Sequence, residues 1–146
     1  MHDDLRARIV EEAYSWMNPP TPYHHHARLK GIGVDCAQIL IGVFEACGVV
    51  ANVDPGNYAH DWHLHHSEEL YANHLDLYGV RTTEPQAGDV ALYKFGRTYS
   101  HGAIVVNNNL DVIHSYIGRG VILSRPHEDP LDGRPVLYWS INKVGE

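Results

Sequence analysis

Two cysteines and twelve histidines are the residues of this chain whose chemistry stands out. Both cysteines lie in one stretch, KGIGVDCAQILIGVFEACG, as Cys36 and Cys47. Such a pair can be a disulfide, a metal clip, two core residues, or one working thiol beside a structural one. The stretch from Asp35 to Cys47 reads as a helix that ends at Gly48, a favoured residue just past a helix C-terminus. The cysteines are eleven positions apart, which in a helix is roughly 16 Å. Bridged Cα atoms must lie within about 7 Å, so an intrahelical disulfide fails. Neither cysteine has a second one at C-x-x-C spacing, which argues against a metal clip. The separation is close to three turns, so both sulfurs share one helix face with Leu40, Val43 and Phe44. Cys47 reads as core, since free cysteine is among the most buried residue types.

Cys36 differs in where it sits. Asp35 is a strong N-cap, and Gln38 completes a D-x-x-Q variant of the capping box. Cys36 then takes the first helical position, where free N–H groups and the helix dipole favour a thiolate. The preceding GIGV lets the backbone come close and leaves room above the sulfur. Position alone does not separate a nucleophile from a buried cysteine that happens to open a helix.

A thiol nucleophile needs an imidazole to take its proton and a third group to orient that ring. SHGAIVVNNNLDVIHSY reads as a hairpin about the asparagines at 107–109. A two-residue turn at Asn108–Asn109 pairs Val106 with Asp111 and Ala103 with His114; a four-residue loop keeps the same register. His101 and His114 then project from one face within diagonal reach. A three-residue loop would put them on opposite faces. The plain alternative is that His101 begins a strand and His114 is a satisfied core histidine.

The elements that must position these residues fall into two halves. Residues 3–17 read as a helix with Leu5, Ile9, Ala13 and Trp16 on one face, stopped by NPPTP. A loop follows through YHHHARLKGIGV, with Gly31 and Gly33 as bend points. Residues 49–66 read as irregular. SEELYANHLDLYG reads as a third helix, capped by Ser67 and stopped by Gly79. After EPQAGD come short β-rich runs: VALYKF, GAIVV, LDVIHSY, GVILS and VLYWSI. Helices first and strands after predict an α+β fold, N-terminal helices packed on a C-terminal antiparallel sheet. No repeat or linker divides the chain, so residues 1–146 are expected to form one domain. A net charge of −7 argues against a nucleic-acid surface. No run spans a membrane and the N-terminus is not a signal peptide, so synthesis in the cytoplasm is expected.

TPYHHHARLKGIGVDCAQIL, QAGDVALY and SHGAIVVNNNLDVIHSY, in that order and spacing, resemble the NlpC-type cell-wall peptidases, a branch of the papain-like cysteine peptidases. The match runs from about Tyr23 to Tyr116. The resemblance implies a papain-like fold with Cys36 as nucleophile, His101 as base and His114 as the orienting residue. Tyr23 matches a tyrosine that lines the site and helps hold the oxyanion. Asp35 matches the aspartate before the nucleophile; it reads as a cap rather than a catalyst and stands beside the substrate. The implied activity is hydrolysis of peptidoglycan stem peptides, often between D-γ-glutamate and a diamino acid. Arg28, with Lys30, is the nearest cation for the free carboxylate of such a substrate, and His24 follows Tyr23 toward the groove. PYHHHARLKGIGVDC and DWHLHHSEELY are further similar to short members of the family encoded among phage and prophage tail genes. That implies tail proteins as partners, and a tail that delivers the enzyme to the wall. The chain departs from the family after the cysteine, where Ala37 and Gln38 replace the usual serine and small residue.

The clusters His24–His26 and His60–His66 suggest a metal, but H-x-H-x-D-H is not met: Ser67 and Glu68 stand where aspartate and histidine should be. No metal or cofactor is expected. Two other readings stay open, a structural tail-assembly protein with a vestigial site and a metal-dependent hydrolase built on the histidines.

Overall fold

The structure, a computed structural model, describes residues 3–56 and 69–141. Helix α1 (Asp3–Ser15) buries Leu5, Ile9 and Ala13, and Trp16 joins them in the core. The helix stops two residues short of the expected end. Trp16 and Met17 donate instead to the carbonyls of Ala13 and Tyr14, a tightened last turn before the prolines. The expected loop after it contains a small hairpin, β1 (Arg28–Leu29) against β2 (Gly33–Val34). Gly31 is a bend, with φ of +81°. Gly33 is not one. It lies in β2, where an added Cβ would come within 2.6 Å of the His24 Cβ, so glycine serves close packing there.

Helix α2 (Gln38–Ala46) buries Ile39, Leu40, Val43 and Phe44, each contributing roughly 2 kcal/mol on burial. It ends as expected: Gly48 has φ of +70° and donates to the Glu45 carbonyl. Helix α3 (Leu70–Tyr78) buries Tyr71, Ala72 and Leu75 and has Glu69 at its cap position. The expected cap, Ser67, lies outside the described residues. Gly79 ends α3 in extended rather than left-handed conformation, with φ of −154°. It opens a strand the sequence pattern did not announce, β3 (Gly79–Thr82). A Cβ there would lie 2.5 Å from the Ser140 carbonyl oxygen.

The other strands form on the expected runs, β4 (Val90–Phe95), β5 (Thr98–Val105), β6 (Val112–Tyr116), β7 (Gly120–Ser124) and β8 (Val136–Ile141), but β5 starts four residues before GAIVV and β6 two residues into LDVIHSY. They complete a six-stranded sheet ordered β3-β8-β4-β5-β6-β7, antiparallel throughout. The fold is α+β. Alternation along the strands gives two buried faces. Leu92, Ile104, Ile113 and Trp139 meet the helices, while Ala91, Tyr93, Ala103 and Val105 form a second, smaller cluster with Leu131. Asp89, of QAGD, ties the halves together. It is wholly buried, and its carboxylate accepts from Arg6 Nη1 at 2.8 Å, Ser140 Oγ at 2.7 Å and the Gln86 N–H at 2.8 Å.

Candidate active site

The hairpin of β5 and β6 has the register the histidines need. Ile104 pairs with Ile113 and Val105 with Val112, and the Val106 N–H donates to the Asp111 carbonyl. The connection is the four-residue loop 107–110. The Asn107 side chain accepts from the N–H groups of Asn109 and Asp111, a local asparagine turn. His101 Nε2 lies 2.7 Å from His114 Nδ1, and His114 Nε2 lies 2.8 Å from Ser124 Oγ on β7. The rings of His101 and His114 meet edge-on at 85°. Phe95 and Tyr116 flank His101, with centroids at 4.9 and 5.7 Å.

These contacts allow two proton arrangements for a neutral His114, and a protonated His101 selects one of them. His114 is fully buried. Burial, and then the nearby Arg119 charge, push its pKa down to about 4, so the ring is neutral. A neutral ring that accepts at Nδ1 from His101 carries its own proton at Nε2 and donates it to Ser124. In that arrangement the His101 Nε2–H points at His114. Only this arrangement also suits a doubly protonated His101, which must donate from Nε2.

Cys36 comes to the same strand. Its thiol donates to the Ser100 carbonyl at 3.7 Å, and the backbone N–H groups of Gly102 and of Cys36 itself act on the sulfur. The sulfur thus touches backbone on both sides of His101. A β-bulge lies there: Tyr93 faces His101 but Lys94 faces Tyr99, which leaves Ser100 as the extra residue. Bulges of this kind re-aim neighbouring side chains.

Asp35 caps through its side chain as expected, but Cys36 is not the first helical position, because Ala37 stands at the cap position of the regular helix. The Asp35 carboxylate accepts from the N–H groups of Ala37 at 3.0 Å and Gln38 at 2.8 Å, and the regular helix starts at Gln38. The expectation of a ready thiolate does not hold. Burial, followed by the adjacent Asp35 charge, pushes the Cys36 thiol up to about 12 against the pull of the N–H groups. Desolvation and a like charge outweigh the end of a short helix. Cys47 is buried core, as expected.

Tyr23 bridges Val34 through its backbone. Burial, then the neighbouring Cys36 and Asp35, raise its phenol pKa, so the hydroxyl keeps its proton and can donate. The residues expected on the substrate side fare differently. Asp35 is buried, and it also accepts from the His26 N–H at 2.8 Å and faces His25 Nδ1 at 3.8 Å. Its place is that of a cap and loop anchor. Arg28 faces Glu45 at 3.8 Å, and Lys30 pairs with Glu12 at 2.7 Å. Both cations therefore meet helix carboxylates. His24 is exposed, with Nδ1 3.2 Å from the His25 carbonyl oxygen. Among the described residues no group of three or more histidine, cysteine or acidic side chains could hold a metal. The cluster His60–His66 lies outside them.

Three residues of the assembly had no signal in the sequence. Ser124 receives His114, Ser115 Oγ donates to the Val34 carbonyl at 2.6 Å, and the Tyr71 hydroxyl donates to the Cys36 carbonyl at 2.9 Å. Serine in a strand and tyrosine in a helix carry no motif; only pairing order brings them here.

Solved structures share this fold. One is the NlpC/p60 domain of the peptidoglycan hydrolase SagA, with TM-score 0.60 and 20% identity over 93% of this chain and 98% of that one. Another is a Staphylococcus aureus subsp. aureus Mu50 protein, described as similar to lipoprotein and of the NLP/P60 family. It has TM-score 0.60 and 18% identity over 97% of this chain and 43% of that one. The chain therefore has the papain-like fold of NlpC/p60 domains. No protein-family model matches the chain, and no curated protein matches it. Among the described residues no helix is long and apolar enough to cross a membrane.

Proposed function

We propose that this chain is a cysteine peptidase or amidase that hydrolyses peptide bonds of peptidoglycan stem peptides. The observation that carries the reading is the run of contacts from His101 to His114 to Ser124, beside a cysteine held at a capped helix start. The NlpC/p60 fold supports the substrate class. In the proposed reaction the Cys36 sulfur attacks the amide carbonyl and its proton passes to His101 Nδ1. With burial and the Asp35 charge holding the thiol pKa up, proton transfer accompanies attack. The Cys36 N–H and the Tyr23 hydroxyl stabilise the oxyanion. His101 then protonates the leaving amine, and water hydrolyses the thioester. An apolar cavity of about 310 Å³ lies between α2 and α3, lined by Leu40, Phe44, Leu75 and Tyr78 among others. Its chemistry does not suit a carboxylate-rich peptide, and it enters no step.

Cleavage after D-γ-glutamate and delivery by a phage tail are finer proposals that rest on the sequence resemblance. The test is incubation with purified muropeptides and mass spectrometry of the products, beside Cys36→Ala. Loss of cleavage in the variant and after thiol alkylation, with none after chelation, is the expected result. Cleavage by Cys36→Ala at the wild-type rate would overturn the mechanism. Chelator-sensitive cleavage would favour the metal-dependent alternative, and an intact substrate a structural role.

A further inference from the structure

The peptide unit that follows the nucleophile is gripped at both ends. Its carbonyl, that of Cys36, accepts from the Tyr71 hydroxyl at 2.9 Å. Its N–H, that of Ala37, donates to Asp35 at 3.0 Å. Tyr71 and Asp35 are both buried, so neither bond competes freely with water. The grip fixes the backbone that directly follows the Cys36 Cα, on the residue whose sulfur meets β5. Tyr71 reaches the carbonyl because position 102 has no side chain. A Cβ at Gly102 would fall on the Tyr71 hydroxyl, 2.7 Å from the ring carbon that bears it and 3.2 Å from Leu40 Cδ2. Gly102 is not among the glycines with positive φ, so its backbone conformation does not demand glycine; the space does. The same residue directs its N–H at the Cys36 sulfur and follows His101 in the chain.

We propose that Tyr71 is a positioning residue for Cys36 and that Gly102 is glycine in order to admit its hydroxyl. The proposal rests on Cys36 being the nucleophile of the peptidase reading above. It is tested with Tyr71→Phe, Tyr71→Leu and Gly102→Ala, alone and combined, assayed below their melting temperatures. Tyr71→Phe is expected to lower kcat about ten-fold with KM unchanged, the effect of one buried hydrogen bond on a positioned group. Gly102→Ala is expected to lower kcat about a hundred-fold in the native background, the order of loss from misplacing a reacting group. In Tyr71→Leu, where the clash is gone, adding Gly102→Ala should change kcat by less than about two-fold, within the scatter of independent sites. A wild-type kcat in Tyr71→Phe, or equal losses from Gly102→Ala in both backgrounds, would overturn the proposal. If the wild-type chain leaves muropeptides intact, the peptidase reading fails separately. The same cycle is then read from the rate at which Cys36 exchanges with an aromatic disulfide reagent. Coupling between positions 71 and 102 in that rate supports the grip, and additivity refutes it.

Discussion

The neutral state of His114 should make folding stability depend on pH in a defined window. Its folded pKa, about 4, lies below the ordinary 6.5 because the ring is buried among β5, β6 and β7 and faces Arg119. Between those two values the unfolded chain holds the proton and the folded chain does not. Stability therefore rises with pH through this window, is fully present above about 6.5, and is lost as pH falls toward 4. The gap converts to about 3 kcal/mol, at roughly 1.4 kcal/mol per tenfold change in proton affinity. A difference between two proteins isolates this one group. His114→Gln keeps an acceptor for His101 and a donor for Ser124 but does not titrate. Urea unfolding of both proteins from pH 7.5 to pH 4 is the assay. The wild type is expected to lose about 3 kcal/mol more than His114→Gln over that range. Equal pH dependence would refute the neutral, buried assignment, and with it the choice of Nδ1 as the basic nitrogen of His101.

Four further outcomes follow from the same contacts. Ser124→Ala leaves the His114 Nε2–H buried without its acceptor and should cost about 1–3 kcal/mol; imidazole nitrogen NMR should show His114 changing tautomer, with Ser124→Thr restoring it. In the proposed mechanism Tyr23→Phe removes a donor to the oxyanion and should lower kcat about 100-fold without abolishing cleavage, as steady-state kinetics on muropeptides will show. Asp35→Asn removes the charge that helps raise the Cys36 thiol; alkylation of Cys36 should then reach half its maximal rate at lower pH, and an unchanged profile would contradict the electrostatic cause. Arg6→Leu strips the buried Asp89 of its cation and should cost about 3 kcal/mol in urea unfolding, while kcat at temperatures well below the transition stays the same.

Local chemistry decided which parts of the molecule could be read from the sequence. The hairpin register was legible because asparagine turns constrain loop length and a one-residue slip would invert both histidines. The cap was legible because Asp35 acts on N–H groups two and three residues away. Strand β3 was hidden because Gly79 ends a helix and opens a strand at once, and its partner lies some sixty positions on. The raised pKa of the Cys36 thiol was hidden for a related reason. A helix dipole is visible in the sequence, whereas the burial that opposes it arises only when β5 closes over the sulfur. Ser124, Ser115 and Tyr71 belong to this second class. Ser124 and Tyr71 bond His114 and Cys36 from other elements, and Ser115 bonds the backbone of Val34, which bridges Tyr23. The motif names the atoms that would react, while their protonation and aim are set by side chains that no motif contains. Ala37 and Gln38, the departures from the family pattern, illustrate the division. Their N–H groups serve the Asp35 cap whatever their side chains are, so the backbone around Cys36 tolerates the change.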